Sequence, residues 1–280
     1  HLSIRRQRQM CIRDSYKISG HYDKYRESTF GIMSAPDEHD EYMLKPMNCP
    51  HHCQIFAFKV RSYRELPLKI SEFGTVYRYE KSGEVHGLIR ARGFTQDDAH
   101  IFCTPDTLKN VINETIDLIK FVLNTFEFHE IRVRLSLRDP GNPDKYIGDE
   151  ERWQMAENIL KEAASAKFDR YREGIGEAAF YGPKLDFIVE DNLKRKWQLS
   201  TIQLDFNLPV RFQLKYMDKD NKYKAPIIIH RAILGSIERF TAILLENTKG
   251  NLPFWLAPLQ VAILPVDENA IEHAIKIENI

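Results

Sequence analysis

Apolar residues recur at helical spacing over 107–126, where Leu108, Val111, Ile112, Ile116, Ile119 and Val122 share one face, and more weakly over 151–166. Both segments are predicted as packing helices. A third helical pattern begins after Pro50 with Ile55, Phe56 and Val60, which sets Cys49 at its entry. Elsewhere the period falls to two. Residues 76–80 and 88–103 read as the arms of a β-hairpin joined by 81–87, with Gly83 and Gly87 as turn residues. Extended backbone projects Arg78 and Glu80 to one side, and likewise Arg90, Arg92, Phe94, Gln96, Asp98 and His100. The alternate positions Ile89, Ala91, Gly93, Ala99 and Ile101 are small or apolar, as on a face packed against a core, with Gly93 a potential interruption. One face of the hairpin is therefore expected to carry chemistry. A second hairpin is predicted from 184–189 and 197–206 across Asp191 and Asn192, and a short strand over 226–230 leads into a helix over 233–246. Strands with helices between them predict an α+β fold on an antiparallel sheet. Pro253, Pro258 and Pro265 mark a boundary, after which 261–264 is expected as a strand and 268–277 as a helix. Residues 1–15 carry Arg5, Arg6, Arg8 and Arg13 without any apolar period, and are expected to form an unstructured leader.

Composition narrows the class. With 43% hydrophobic and 29% charged residues, and no apolar run near the roughly 18 needed to span a bilayer, the chain reads as globular, neither disordered nor membrane-spanning. Its 280 residues suit about two domains or one large one. Forty basic and forty acidic side chains cancel, so any nucleic-acid contact must be a local patch. Four cysteines, Cys11, Cys49, Cys53 and Cys103, are too few and too irregular for a disulfide scaffold, which favours a reducing compartment such as the cytoplasm.

No GxxxxGK[ST] loop and no GxGxxG after a strand is present, so a nucleotide would have to be held by side chains. Arg78 and Arg90 on facing arms offer two forked guanidinium groups for phosphate oxygens, with surface ion pairing as the other reading, and Phe94 could stack on a base. Cys49, His51, His52 and Cys53 form a cluster of soft ligands that distant His100 and His230 could complete as a zinc site, although buried free cysteines beside surface histidines give the same pattern. Three protein ligands would leave one coordination position open, as at a working zinc. After His230 the chain enters a helix through Gly235, with Ser236 suited to cap it and Ile237, Phe240, Ile243 and Leu244 as its buried stripe. Arg239 in the first turn opposes the helix dipole, a placement better explained by an anion that it holds.

Four segments then carry a resemblance: 44–52 (LKPMNCPHH), 72–80 (EFGTVYRYE), 87–100 (GLIRARGFTQDDAH) and 230–240 (HRAILGSIERF). From about Ser19 to its end the chain resembles the class II aminoacyl-tRNA synthetases, and among them the bacterial-type threonyl-tRNA synthetases. The resemblance implies a class II catalytic core over 16–252 and, over 253–280, the beginning of an α/β anticodon-binding domain. Residues 1–15 do not match the family, and the segment expected to carry motif 1, with its dimer contacts, is not recognised. It implies that Arg78 meets the α-phosphate of ATP, Glu80 the adenine amino group, Phe94 the adenine ring and Arg239 the γ-phosphate, with Arg90 assisting. Cys49, His100 and His230 match the zinc ligands, which makes Cys53, His51 and His52 neighbours. Gln96, Asp98, Tyr181, Gln203 and Ser236 match the threonine site, while Gln198, Thr201 and Lys184 lie around the substrates. Strict alternation sets Gln198 on the face opposite Thr201 and Gln203, which calls for a bulge or for a different role.

The implied reaction is threonine activation by ATP with Mg²⁺, then transfer to tRNA(Thr), in a cytoplasmic enzyme that is a homodimer at full length and binds neither DNA nor membrane. Zinc would select threonine over valine through the substrate hydroxyl, and serine rejection would need a separate editing domain, which is not among the segments recognised. Two rivals remain at this stage: a non-catalytic tRNA- or protein-binding paralogue, and a zinc hydrolase with Asp98 as its base.

Overall fold

The computed structural model describes residues 10–34 and 41–279. Arg5, Arg6 and Arg8 of the expected leader lie outside them. Residues 10–15 are not unstructured: Met10–Ile12 is a strand paired antiparallel with Glu41–Leu44, and Arg13–Ser19 is a helix. This segment is held because Ser15 and Tyr16 are buried and the Tyr16 hydroxyl donates to the Met47 carbonyl at 2.8 Å.

The site is built on a seven-stranded sheet, comprising β1 (Leu68–Tyr77), β2 (Gly93–Cys103), β3 (Ile131–Leu137), β4 (Arg172–Ile175), β5 (Lys184–Glu190), β6 (Lys196–Asp205) and β7 (Ile227–Ala232). Their spatial order is β1-β2-β7-β6-β5-β3-β4, antiparallel except for the β3–β4 pair at one edge. This bears out the expected antiparallel α+β architecture. One face is apolar: Ile101, Ile229, Ile202, Leu204, Leu185, Phe187, Val133 and Leu135 pack with the buried stripes of α2 (Pro105–Thr125) and α3 (Glu150–Lys167). Each such aliphatic burial contributes about 1.5–3 kcal/mol, so this face supplies most of the folding drive. Among the described residues no helix is long and apolar enough to cross a membrane.

The first hairpin differs from its sequence reading at both ends. Its first strand starts at Leu68, because an edge strand half open to water shows a blurred period, and the ladder closes between Tyr77 and Gly93. Residues 88–92 are loop, folded back by an exchange between His86 and Arg90, so Ile89 and Ala91 are half-buried beside the site and do not pack on the core. The strand expected over 261–264 is also absent. Val261 and Leu264 are 68% and 83% exposed, without the partner strand that an extended segment needs, and the following helix Ile271–Glu278 buries none of its residues.

Register aligns side chains in rows across the polar face. His100 stands opposite His230, His230 opposite Gln203, Gln203 opposite Lys184, and Lys184 opposite Ser136. In the next row Ala232, Thr201, Asp186 and Arg134 are successive partners. A bulge in β6 at Leu199 breaks the alternation, sending Leu199 into the core and bringing Gln198 onto the face of Thr201 and Gln203. Asp186, fully buried, accepts from Ser136 Oγ (2.7 Å), Gln198 Nε2 (2.9 Å), Thr201 Oγ1 (3.0 Å) and Arg134 Nη2 (3.1 Å), with Lys184 Nζ at 3.3 Å. Helix α1 (Cys49–Ala57) lies on the same face, with Phe56 stacked on Phe102 at 4.5 Å. Gly74 lets it approach: a Cβ there would come within 2.6 Å of the Asn48 side chain, whose Nδ2 donates to Asp98 Oδ2 at 3.0 Å.

Two substitutions probe this scaffold in chemical denaturation. Gly74→Ala should displace Asn48 and cost about 1–3 kcal/mol as overpacking does. Asp186→Ala strands Arg134 and Lys184 without their shared carboxylate and should cost about 3 kcal/mol or more.

Candidate active site

Cys49 opens α1 and meets the His100–His230 cross-strand pair, and the three ligand atoms lie within 4.8 Å of one another. All three residues are buried. Burial pushes the Cys49 thiol well above its ordinary range, with the Cys53 thiol and the Asp98 and Asp205 carboxylates adding to it. Burial likewise holds His100 well below its ordinary value, so its ring is neutral and offers a lone pair. One thiol and two imidazoles, all buried, form a donor set that fits Zn²⁺. The other members of the sequence cluster stand apart: Cys53 packs with Phe56 and Phe102, and His52 reaches His100 from behind.

These three residues open into a cavity of about 420 Å³ that Gln96, Asp98, Tyr181, Lys184, Thr201 and Gln203 also line. Tyr181 lies flat on His230, with ring centres 4.8 Å apart, and its hydroxyl donates to Gln203. Burial raises the Asp98 carboxyl, while the hydrogen bond from Asn48 pulls the other way.

An adjoining cavity of about 370 Å³ is lined by Arg78, Glu80, Arg90, Phe94, Gln198, Ser236 and Arg239, and shares Arg78, Gln96, Thr201 and Ala232 with the first. Arg78 Nε is tied to the Pro46 carbonyl at 3.2 Å, which carries its guanidinium over the Phe94 ring at 5.2 Å. Arg90 does not stand on the strand with Phe94. It reaches in from the loop and is paired with Glu80 (2.9 Å) and Glu84 (3.3 Å), so the two expected nucleotide contacts hold each other.

Ser236 caps α4 (Ile237–Thr248) as expected, its Oγ accepting from Arg239 N at 3.1 Å. Asp97 accepts from the backbone of Ile233 and Leu234 at 3.1 Å each, and Glu238 from Thr95 N at 2.9 Å, which fixes the turn into this helix. Gly235 at φ 70° runs close under the Leu199 carbonyl, where only glycine fits without strain. Arg239 faces the Trp197 ring at 5.6 Å, and its Nε is buried without a hydrogen-bond partner. Burial, with Arg90 adding repulsion, weakens its hold on the proton. A desolvated guanidinium beside a second one is a receptor for an anion.

Every residue to which the family resemblance gave a site role lines one cavity or the other, whereas His51, His52 and Cys53 line neither. Several residues that organise the site carried no motif signal. His21 is fully buried, with Nε2 3.6 Å from Cys49 Sγ and Nδ1 2.7 Å from Ser19 Oγ, and burial pushes it down to about 3, with His230 and Arg78 adding. Asp186 reads as one charge in an apolar strand.

Residues 25–248 match the family model of the tRNA synthetase class II core domain (G, H, P, S and T). The chain is 54% identical over 259 residues to a threonine–tRNA ligase of Cytophaga hutchinsonii, covering 92% of this chain and 40% of that protein. It is 55% identical over 264 residues to one of Chlorobium phaeobacteroides, covering 93% and 40%. It thus spans about two fifths of the length of the curated relatives it matches. Among solved structures, the RNA binding domain of a threonyl-tRNA synthetase from Cryptosporidium parvum superposes with a TM-score of 0.91 at 44% identity, covering 97% of this chain and 66% of that one. A putative threonyl-tRNA synthetase from Aeropyrum pernix gives 0.80 at 39%, covering 99% and 64%. With motif residues, sheet and cavities in agreement, the chain belongs to the class II aminoacyl-tRNA synthetases, and within them to the threonyl-tRNA synthetase family.

Proposed function

We propose that this chain is the catalytic core of a threonine–tRNA ligase, which joins L-threonine to ATP and passes the threonyl group to tRNA(Thr). The observation that carries this reading is the adjacency of two differently built cavities, one ending on Cys49, His100 and His230, the other on Arg78 and Arg239, with Arg78, Gln96, Thr201 and Ala232 common to both. An amino acid held in the first and a nucleotide in the second would meet at Arg78. A threonine carboxylate oxygen attacks the α-phosphorus there, the bond to the bridging oxygen breaks, and pyrophosphate leaves. Transfer follows when a hydroxyl of the tRNA terminal ribose attacks the threonyl carbonyl and AMP departs.

No side-chain nucleophile is required, so the chain's task is positioning and charge stabilisation. Arg78, Arg90 and Arg239 bind the phosphates with Mg²⁺, Phe94 takes the adenine ring, and Glu80 its amino group. Gln198 and Thr201 border the nucleotide. Asp98, Gln96, Tyr181, Gln203 and Ser236 surround threonine, with Lys184 beside the substrates. Cys49, His100 and His230 would hold Zn²⁺, which supplies a Lewis-acid position for the amino and hydroxyl groups of threonine. A site completed by a substrate hydroxyl rejects the analogue that lacks it by about 10⁴- to 10⁵-fold, which separates threonine from valine. The reading brings with it a cytoplasmic setting and, for the full-length protein, a homodimer.

Calorimetric titration of the zinc-loaded chain with a non-hydrolysable threonyl-adenylate analogue should show tight binding that Cys49→Ser abolishes. Equal affinity for the valyl analogue would overturn the proposed selection. Because the Cys49 thiol is raised and His100 is already neutral, zinc binding should release about one proton near neutral pH. Apparent zinc affinity should therefore rise about tenfold per pH unit between pH 6 and 8, as measured by chelator competition.

A further inference from the structure

We propose that Glu72 and His52 form a relay that sets which ring nitrogen of His100 faces the metal, an inference that rests on the zinc reading above. Glu72 Oε1 lies 3.1 Å from His52 Nε2, and His52 Nδ1 lies 2.7 Å from His100 Nδ1. The two rings meet edge to face with centres 4.7 Å apart. The proton positions follow from the chemistry of the groups. A carboxylate only accepts, so His52 Nε2 carries hydrogen, and in the neutral ring this leaves Nδ1 bare. Two nitrogens in hydrogen-bond contact need one hydrogen between them, and His100 Nδ1 must then supply it. His100 Nε2 is thereby left with its lone pair free for a metal. Asp98 does not compete for this role, because its Oδ1 is 3.9 Å from His100 Nδ1, beyond hydrogen-bond reach.

The two ligand imidazoles are thus oriented by different means. His230 Nε2 contacts Asp205 Oδ2 directly at 2.9 Å, whereas the carboxylate serving His100 acts through an intervening histidine. His52 is buried, while the Glu72 side chain is 33% exposed on the edge strand β1. The relay therefore runs from the sheet edge to the buried cluster. Glu72 and His52 are positioning residues that bind neither substrate nor metal. Partners that orient a ligand histidine typically contribute about 10- to 100-fold in metal affinity.

The test is zinc affinity of the full chain, measured against a chromophoric chelator, with the visible spectrum of the Co²⁺-substituted protein as a second readout. His52→Leu, which accepts no hydrogen bond, should weaken zinc binding about 10- to 100-fold and diminish the tetrahedral Co²⁺ bands. His52→Gln, whose amide oxygen can accept from His100 Nδ1, should recover much of that loss. Glu72→Ala should weaken binding in the same direction and leave thermal unfolding of the metal-free chain unchanged. If His52→Leu does not fold, Glu72→Ala and His52→Gln decide the matter. Zinc binding within twofold of wild type in the folded His52 and Glu72 variants overturns the relay and leaves the metal reading standing. A wild-type chain that fails to bind zinc overturns both.

Discussion

The antiparallel pairing that sets His230 opposite His100 fixes the position of everything else in the cavities. A slip of one residue between these strands would turn one histidine toward the helices and a buried isoleucine toward the ligand space. The apolar face prevents such a slip. Ile101 and Ile229, immediate neighbours of the two histidines, are locked among the stripes of α2 and α3, so the register that serves packing also serves the site. Cys49 is then delivered by a helix whose first turn presses on β1 at Gly74, where no side chain stands in the way.

The polar face is an interior in its own right, and it is held by hydrogen bonds. Asp186 gathers donors from three strands and from both sides of the β6 bulge. Asp97 and Glu238 do the same for the turn into α4 through backbone amides. Carboxylates thus hold the elements that face the cavities, and the fully buried one, Asp186, is satisfied by several donors, the condition under which a buried charge is tolerable. Satisfaction is incomplete elsewhere on this face: the Nε atoms of Arg134 and Arg239 and the Oδ1 of Asn48 are buried without a hydrogen-bond partner, and of these Arg239 lines the second cavity.

Much of this was legible in the sequence because periodicity reports on a buried face. The helix at 107–126, the hairpin about Asp191 and Asn192, the Ser236 cap and the grouping of Gln96, Asp98 and His100 all follow from spacing. What escaped has physical reasons. Leu68 to Thr75 form an edge strand whose outer side is wet, so their alternation is weak. Residues 261–264 form a short apolar run such as a strand has, but an apolar run does not provide a ladder partner. His21 and Asp186 act through burial and through contacts distant in sequence, which single residues do not announce. Parity sets Arg90 on the strand face, yet the chain folds back between His86 and Arg90 before the strand begins.

The bulge at Leu199 has an evolutionary corollary. Along β2, Gln96, Asp98 and His100 face the cavities, while Ala99 and Ile101 are buried on the opposite face and Asp97 holds the turn into α4. On β6 the sense of parity reverses within one strand, because Gln198 lies before the extra residue while Thr201 and Gln203 lie after it. Tolerance to sequence drift along β6 should therefore change phase at a single residue. An insertion or deletion beside Leu199 would be more disruptive than many substitutions, because it would exchange the chemical and structural vocations of half a strand.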